Sequence, residues 1–414
     1  MSSTPANYRI LLRTPGAAAF FLAGCVGRIG LAMTGLGIVW LVHARTGSYA
    51  TAGLVTGCFA VTDALAGPQI GRLVDRFGER RVVPYALGAH GAAVALLFAG
   101  GPVPVAATAG ALAGATLPQI SALSAARWAA LLRGTGQDAA LPGAFALESL
   151  ANGLSFLVGP ALVSTVGAAG HPGLGSALAA ALVIGGGLAF TLQRRTAPPV
   201  AERGERRHAG RALRRPAFLG LVASTLALGV YFGAMQVSVS AYAVGRGTPD
   251  LAPVLYAVSN CTSLVGGWVY GARRWRAGPV RQRAVAAVGL LLACLPLTVL
   301  DAPVPLGCAL ALTGLAVPPL LAVTSVLTEA AVPRAVLTQA FTWLGSASAG
   351  GSAGAAAVAG RAVDAGGAHA GFMVAGGAVA GVVVLAGRGV PRALEGVVGR
   401  LRAGGRFSRS SPRP

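Results

Sequence analysis

Long apolar tracts alternate with short polar connections along the chain. A helix needs about 20 predominantly apolar residues to cross the hydrocarbon core of a bilayer. Tracts of that length recur between residues 16 and 387, and the charged residues cluster between them. The pattern predicts twelve membrane-spanning helices, over residues 16–42, 50–71, 82–101, 103–124, 143–168, 172–193, 217–243, 251–272, 284–302, 304–328, 335–360 and 367–387.

The composition also indicates an integral membrane protein. Of the 414 residues, 54% are hydrophobic and 11% are charged, against about 25% charged residues in soluble domains. The net charge of +21 comes from 33 basic residues, all of which are arginine. Such a charge is also found in nucleic-acid-binding proteins, but these arginines fall in connections on one side of the predicted membrane. We therefore expect a lipid bilayer, and no nucleic acid, as their partner.

The distribution of arginine predicts the orientation of the spans, because cytoplasmic connections carry an excess of basic residues. With the N-terminus inside, the outer connections hold only Arg45, Arg246 and Arg361. The inner connections, apart from a central linker and a tail, hold Arg9, Arg13, Arg72, Arg76, Arg80, Arg81, Arg127, Arg133, Arg273, Arg274, Arg276, Arg281, Arg283 and Arg334. Both termini are expected in the cytoplasm, and the multi-pass protein in the cytoplasmic (inner) cell membrane.

Four segments follow from this layout. Residues 1–192 are predicted to form an N-terminal half of six spans, and residues 217–387 a C-terminal half of six spans. Residues 193–216 form a basic cytoplasmic linker, and residues 388–414 a basic cytoplasmic tail. Arginine runs beside a membrane are typical of solvated segments that face lipid headgroups.

The sequence lacks candidate chemistry for an enzyme. Its five cysteines lie in apolar tracts without metal-ligand spacing, where cysteine behaves as a small apolar residue. The five histidines are scattered, and no Gly-Lys-Ser/Thr phosphate loop is present. We therefore predict a protein that is not an enzyme, holds no cofactor or metal, and does not use ATP as its energy source.

The turn between the second and third spans carries the clearest motif, Gly-Arg-Leu-Val-Asp-Arg-Phe-Gly-Glu-Arg-Arg over residues 71–81. It resembles the signature loop of the major facilitator superfamily in residue type, spacing and flanking spans. The resemblance implies an all-α membrane fold of two six-helix halves that rock about a site near the midplane. It also implies that Asp75 joins an inter-helix network that holds the outward-facing state. The matching residues, which we assign to gating, are Gly71, Asp75, Arg76, Gly78, Arg80 and Arg81.

Gly159 and Pro160 in the fifth span partly match the antiporter signature of the same superfamily, although its further glycines are missing. We add both residues to the gating set. This partial match favours export. The chain also resembles efflux proteins of the actinobacterial type within the superfamily. The arginine that the family uses for proton coupling in the fourth span has no counterpart in residues 106–126.

A weak internal repeat relates the two halves at an offset near 200 residues. Residues 12–15 resemble residues 213–216 at the starts of the first and seventh spans. In this alignment Gly267 matches Gly71, and Gly271 stands where Asp75 would be. The second signature loop is therefore predicted to have lost its acidic residue.

Charged side chains inside spans are costly and mark candidate transport sites. By residue counting, Arg28 in the first span and Asp63 in the second lie at similar depths. This predicts an ion pair or a water-bridged pair, in which Asp63 takes up a proton or meets a cationic substrate while Arg28 tunes its pKa. A static salt bridge is the alternative, and an unpaired Arg28 would favour an anionic substrate. Glu148 is expected to be a cytoplasmic gate or a helix N-terminal charge, and Glu329 an interfacial residue near Arg334.

Polar side chains in the C-terminal half are further candidates for substrate contacts. They are Gln236, Asn260, Gln339 and Trp343. Each could instead form a hydrogen bond between helices. The sparse charge and the apolar spans suit a lipophilic or amphipathic substrate better than a sugar.

The sequence as a whole predicts a secondary transporter, working as a monomer, whose partners are a small-molecule substrate, protons and the bilayer. Proton-coupled export of lipophilic or amphipathic compounds is the first interpretation. Import of a small anionic or amino-acid-like solute is the second, and a membrane sensor that keeps the fold without transport is the third.

Overall fold

The computed structural model describes residues 8–133, 137–200, 204–205, 209–248, 250–273, 275 and 277–387. Every regular element in these residues is a helix. The predicted tail, residues 388–414, lies outside them, as do several arginines assigned to inner connections. These are Arg203, Arg206, Arg207, Arg274 and Arg276.

In its described residues, the N-terminal half contains one short α-helix and seven longer ones. Ser48 starts one of them by accepting a hydrogen bond from the Thr51 amide at 3.2 Å, which satisfies a backbone donor that the helix itself cannot. The helices are α1 (Tyr8–Arg13), α2 (Ala17–Thr46), α3 (Tyr49–Phe77), α4 (Glu79–Ala99), α5 (Val103–Ala115), α6 (Ile120–Leu132), α7 (Leu141–Ala168) and α8 (Pro172–Leu192).

The C-terminal half contains five helices in its described residues. Three of them begin with a proline, Pro216, Pro279 and Pro303, in keeping with the preference of proline for the first position of a helix. The helices are α9 (Pro216–Gly245), α10 (Leu251–Ala272), α11 (Pro279–Cys294), α12 (Pro303–Ala331) and α13 (Leu337–Gly387).

Ten stretches of the described residues are long and apolar enough to cross a membrane, which confirms an all-helical membrane protein. The predicted count of twelve spans is confirmed only in part. The helix α10 is not among the ten, and α13 counts once although it covers two predicted spans. Gly366 and Gly367 have non-helical dihedral angles, so α13 consists of two helices that meet there.

The fourth predicted span, residues 103–124, ends too early. The helical stretch continues to Leu132 after a break between Ala115 and Ile120. Pro118 lies in the break and lacks the backbone N–H that a continuous helix would need. Arg127, which the charge pattern assigned to a connection, therefore lies inside α6.

Successive helices reverse direction, so their connections fall on two faces. Gly78 allows one such reversal between α3 and α4 with a φ of +85°, a conformation that side chains disfavour. We call the face that carries α1, Gly78, residues 193–200, 209–215 and 332–336 the basic face. The other, which we call the opposite face, carries residues 47–48, 100–102, 169–171, 246–248, 250 and 299–302.

Buried apolar side chains join the two halves at the basic face. One cluster combines α2–α8 with the basic-face ends of C-terminal helices, including Phe218, Leu327 and Phe341. A second cluster lies deeper in the C-terminal half and contains only its own side chains, such as Leu310 and Phe372. Among the described residues, the core is thus continuous between the halves near the basic face and divided beyond it.

Small residues bring helices into close contact inside each half. A Cβ atom on Gly186 of α8 would overlap the backbone of Gly27 on α2, and one on Gly229 of α9 would overlap Ser348 O on α13. Lipid tails are as apolar as the helices, so association depends on such close packing rather than on the hydrophobic effect.

We expect Gly186→Ala to destabilise the protein by about 1–3 kcal/mol, because the new methyl group needs space that the α2 backbone fills. The measurement is the thermal unfolding temperature of the purified protein in detergent. Gly185→Ala is the matched control, since nothing lies within 4 Å of a Cβ atom there. An equal fall for both variants would contradict the close approach of α2 and α8.

Candidate functional site

A buried ion pair joins α2 to α7. Arg28 pairs with Glu148, with side-chain exposures of 2% and 8%. Glu148 also accepts hydrogen bonds from Ser124 Oγ at 2.7 Å and Trp128 Nε1 at 2.8 Å, both on α6. The carboxylate therefore has a balancing charge and three donors, which is what makes a buried carboxylate tolerable.

This pairing corrects the predicted contact between Arg28 and Asp63. Residue counting gives the depth of a side chain in the membrane but not the side of the helix it occupies. Arg28 lies on the side of α2 that meets α7, whereas the hydrogen bond recorded for Asp63 comes from Gln119. Glu148 lies two turns inside α7, which begins at Leu141, so it is not a helix N-terminal charge.

A second buried pair, between Glu79 and Arg127, was missed by sequence reasoning. Arg127 is fully buried and pairs with Glu79. Its guanidinium also donates to Phe190 O at 3.0 Å and Thr196 Oγ1 at 2.9 Å and lies 4.0 Å from the Phe190 ring centroid. The pair ties α4, α6 and α8 together near the basic face. Two sequence features could have indicated this pair: Glu79 follows Gly78 directly, and a tryptophan lies beside Arg127.

Arg283 is also buried, although the charge pattern placed it in a solvated connection. It lies inside α11, is 2% exposed and donates to Ser224 Oγ on α9. In the described part of the chain no carboxylate forms an ion pair with it. This residue shows that an arginine count alone does not separate loop positions from helix positions.

Asp63 lies at the centre of the helix α3, which runs from Tyr49 to Phe77. Its carboxylate accepts a hydrogen bond from Gln119 Nε2 at 2.8 Å, and its side chain is only partly buried. Gln119 occupies the break between α5 and α6. The acid thus lies near the middle of the membrane thickness, beside an interrupted helix.

The helices α3 and α13 meet in a line of contacts between the two halves, which we call the first seam. Asp75 accepts hydrogen bonds from two backbone amides at the start of α13, at 3.3 and 2.8 Å. Cβ atoms on the two glycines of the seam would lie only 2.5 and 2.9 Å from hydroxyl oxygens of α13. The contacts, one turn apart, are Asp75 with Thr338 and Gln339, Gly71 with Thr342, and Gly67 with Ser346.

The first seam ends before it reaches Asp63. Each step along it moves one turn towards the opposite face on both helices, so the next pair would be Asp63 and Gly350. A Cβ atom on Gly350 would have nothing within 4 Å. The two helices have therefore separated at the level of Asp63, which lies just beyond the closed part of the interface.

A second seam joins α7 and α10, and it corrects the predicted repeat alignment. A Cβ atom on Gly271 would lie 2.8 Å from Ala146, and one on Gly267 2.9 Å from Leu150. Gly271 meets α7 as far from the start of that helix as Gly71 meets α13 from its start. Gly271 therefore matches Gly71, not Asp75. The counterpart of Asp75 is Trp275. It lies beyond the end of α10 and donates its Nε1–H to Tyr270 O at 3.0 Å.

An ion pair also crosses between the halves at the basic face. Arg133, at the end of α6, pairs with Glu329 on α12. Arg334 donates to Arg133 O at 3.0 Å. Glu329 lies at the basic face close to Arg334, as the sequence predicted, but it is 3% exposed and its ion-pair partner is Arg133.

A cleft of about 140 Å³ lies in the C-terminal half between α9, α10 and α12. Gln236 and Asn260, two of the candidate polar residues, line it together with aromatic, aliphatic and hydroxyl side chains, including Phe232, Met235 and Tyr256. The other two candidates lie elsewhere. Gln339 belongs to the first seam, and Trp343 is 40% exposed on α13.

The family model of the Major Facilitator Superfamily matches residues 20–312. The chain belongs to the major facilitator superfamily. No curated protein matches it. Among solved structures, the human organic anion transporter MFSD10 (TETRAN) is similar with a TM-score of 0.65 and 17% identity, over 93% of this chain and 100% of that one. A bacterial homologue of the iron transporter ferroportin in an outward-facing state is similar with a TM-score of 0.70 and 13% identity, over 89% of this chain and 98% of that one.

Membership of the major facilitator superfamily makes this chain a multi-pass membrane transporter for small molecules and not an enzyme. At these identities the two structures show a shared fold and nothing about the substrate. In this facilitator the signature loop divides into two groups. Gly71 and Asp75 contact the other half, whereas the three arginines are exposed at the basic face; they are Arg76, Arg80 and Arg81.

The antiporter-like pair lies inside the N-terminal half of this facilitator. A Cβ atom on Gly159 would lie 2.8 Å from Ala32 Cβ and 3.0 Å from Ile29 O, so α7 packs directly on α2. Pro160 follows within α7. Gly159 thus contacts the helix that carries Arg28. The gating role assigned to Gly159 and Pro160 stays a prediction.

We expect Glu148→Gln to destabilise the protein by about 3–5 kcal/mol, because it leaves the buried Arg28 charge uncompensated. Arg28→Met combined with Glu148→Gln removes both charges and should recover most of that loss. Thermal unfolding in detergent measures both effects. Glu205→Gln, at an exposed position, is the control and should have little effect. A double variant as unstable as the single one would contradict the pairing.

Proposed function

We propose that this facilitator is a secondary active transporter that exports lipophilic or amphipathic compounds in exchange for protons. Its two halves, of six membrane crossings each, alternate access to a site near the midplane. The basic face lies in the cytoplasm, in accordance with the excess of arginine there. The observation that carries this proposal is the position of Asp63, a partly buried carboxyl at the centre of α3, where the first seam ends.

The contacts between the halves support alternating access. The two seams and the pair Arg133–Glu329 all lie on the side of Asp63 that faces the basic face. Beyond Asp63 the buried apolar clusters of the two halves separate. An arrangement closed on one side and open on the other is one of the two end states that such a cycle needs. Breaking the seams while closing the opposite face would give the other state.

The surroundings of Asp63 support a role in proton exchange. A carboxyl in a spanning helix is costly and rarely kept without a use. Glu79, Glu148 and Glu329 each form an ion pair with an arginine. Asp63 has a neutral amide partner instead, so it can gain or lose a proton without leaving a buried arginine uncompensated. A single carboxyl that alternately meets a proton and a substrate is sufficient for exchange.

The composition of the cleft supports a lipophilic or amphipathic substrate. Aromatic rings, methionine and aliphatic side chains supply contacts that depend little on the exact shape of the ligand. The amides of Gln236 and Asn260 supply a few polar contacts that orient it. Substrates of this kind partition into membranes, and their removal from the cell requires export.

Two other functions have weaker support. An importer of small anions centred on Arg28 needs a free positive charge, but Glu148 neutralises that arginine. The name of one similar structure, an organic anion transporter, comes with 17% identity and does not change this argument. No feature of the described residues specifically favours a sensor without transport activity.

We expect Asp63→Asn to abolish the pH-driven part of transport, because the side chain can no longer bind and release a proton. The measurement is efflux or uptake of a fluorescent lipophilic cation by proteoliposomes, with and without a pH gradient. Exchange of substrate for substrate at equal pH should persist, since that step needs no net proton movement.

Asp250→Asn is the matched control, because Asp250 is exposed at the opposite face before α10 and should leave pH-driven flux unchanged. Full pH-driven flux in Asp63→Asn would exclude Asp63 as the proton carrier. Failure of the unmodified protein to move any compound of a broad lipophilic panel would favour the sensor or an importer.

We expect charge reversal at the cross-half ion pair to favour opening of the basic face. Arg133→Glu places two carboxylates together, and the double variant Arg133→Glu with Glu329→Arg restores an attractive pair. The measurement is the labelling rate of a cysteine at Ser346, in a cysteine-free chain, by a membrane-impermeant maleimide added from the basic side. The single variant should label roughly tenfold faster, a difference of about 1.4 kcal/mol, and the double variant should return towards the original rate. Equal rates in all three would contradict this role.

A further inference from the structure

The short helix α1 reaches from the N-terminal half to the C-terminal half at the basic face. The Tyr8 hydroxyl is a donor to Gly267 O at 3.1 Å and to Trp268 O at 3.3 Å, both on α10. A Cβ atom on Gly271 would overlap that hydroxyl group. The absence of a side chain at Gly271 therefore creates the space that Tyr8 fills.

The rest of α1 is fixed to the N-terminal half. Leu11 is 2% exposed and belongs to the core cluster that contains most of α2–α8. The turn at Gly16 then leads directly into α2, and a Cβ atom on Gly16 would lie 2.8 Å from a methyl group of Thr196. When the two halves move relative to each other, α1 must therefore move with α2, and the bonds from Tyr8 to α10 must break.

The two seams differ in how they are fastened at the basic face. In the first, the Asp75 carboxylate accepts hydrogen bonds from the start of α13. In the second, the corresponding position is Trp275, whose ring stacks on Tyr270 with centroids 5.4 Å apart. Trp275 therefore offers no carboxylate to the start of α7. The Tyr8 hydroxyl reaches the second seam near this level.

We propose that Tyr8 is a positioning residue of the transport cycle that fastens the second seam and stabilises the state closed at the basic face. Its hydrogen bonds hold the second seam together, as those of Asp75 hold the first. This inference rests on the alternating-access cycle proposed above. Burial raises the pKa of Tyr8 to about 12, so its hydroxyl remains a donor at every pH at which transport is measured, and the fastening does not itself respond to protons.

The test is a distance measurement between the halves in the full chain. Spin labels are attached at Arg194→Cys and Arg281→Cys, two exposed positions at the basic face, one in each half, after replacement of the five native cysteines by alanine. Pulsed electron resonance then gives the populations of short and long distances. Tyr8→Phe keeps the ring and removes only the donor. We expect it to raise the ratio of long-distance to short-distance states about fivefold, the change that loss of one neutral hydrogen bond produces.

Gly271→Ala tests the same contact from the other side, since its methyl group displaces the Tyr8 hydroxyl. Tyr8→Phe and Gly271→Ala should together shift the populations by less than the product of their separate effects, because both remove one interaction. The matched controls are Tyr85→Phe, at a tyrosine that is 82% exposed, and Gly289→Ala, where nothing lies within 4 Å of the new methyl group. Neither control should shift the populations.

Asp75→Asn separates this inference from the proposed cycle. If Asp75→Asn raises the long-distance population and Tyr8→Phe does not, Tyr8 does not fasten the second seam, although the halves still alternate. If neither variant changes the distances, both the inference and the alternating-access proposal are wrong. A rise in Tyr8→Phe equal to that in Tyr85→Phe would also overturn the inference. Tyr8→Phe alone decides the question if Gly271→Ala does not fold.

Discussion

Hydrocarbon offers no hydrogen-bond partners, and this constraint shapes every level of the protein. Each backbone amide and carbonyl within the membrane must be satisfied inside the chain, which is why every regular element in the described residues is a helix. The same constraint applies to charge. Glu148 has an arginine, a hydroxyl and an indole as partners, and Arg127 has a carboxylate, a hydroxyl and two carbonyls. These networks hold together helices of the same half, so they fix the packing within that half.

Contacts between the halves obey a different requirement in the proposed cycle, because there they must form and break. The first seam consists of glycine contacts and of hydrogen bonds from backbone amides to Asp75, rather than of interlocked large side chains. Gly71 and Gly67 allow α3 and α13 to approach without deep interdigitation, so separating the helices exposes little that cannot be solvated. Arg133 and Glu329 lie at the basic face, where water can replace each partner when the pair opens. The charged networks within a half are buried, whereas the polar contacts between the halves are small or lie at the basic face.

Sequence reasoning could predict the features that depend on local pattern. Apolar tract length gave most of the helices, and the spacing from Gly71 to Arg81 indicated the superfamily that the family comparison confirms. Partner identity was not accessible in this way. The depth of Arg28 follows from counting residues, but its direction around α2 depends on how α2 packs against α7, and this selects Glu148 over Asp63. Arg127 was assigned to a connection because Pro118 interrupts the fourth span, so the predicted span ended before α6 does. The repeat alignment was wrong by one turn because the shorter α10 stops before the position that matches Asp75.

The distinction between structural and functional charge follows from these contacts. An acid that is bound to a buried arginine cannot change its protonation state without stranding the arginine, so Glu79 and Glu148 are suited to holding helices together. An acid that is bound to a neutral amide can change its protonation state without leaving a charge unpaired. Asp63 is of the second kind, and it lies where the first seam ends and the two halves part. The break between α5 and α6 places Gln119 beside it, and that break costs helical hydrogen bonds in the middle of a membrane. In the proposed exchange cycle, an acid without an arginine partner and an interrupted helix therefore lie together at the depth where the two halves part.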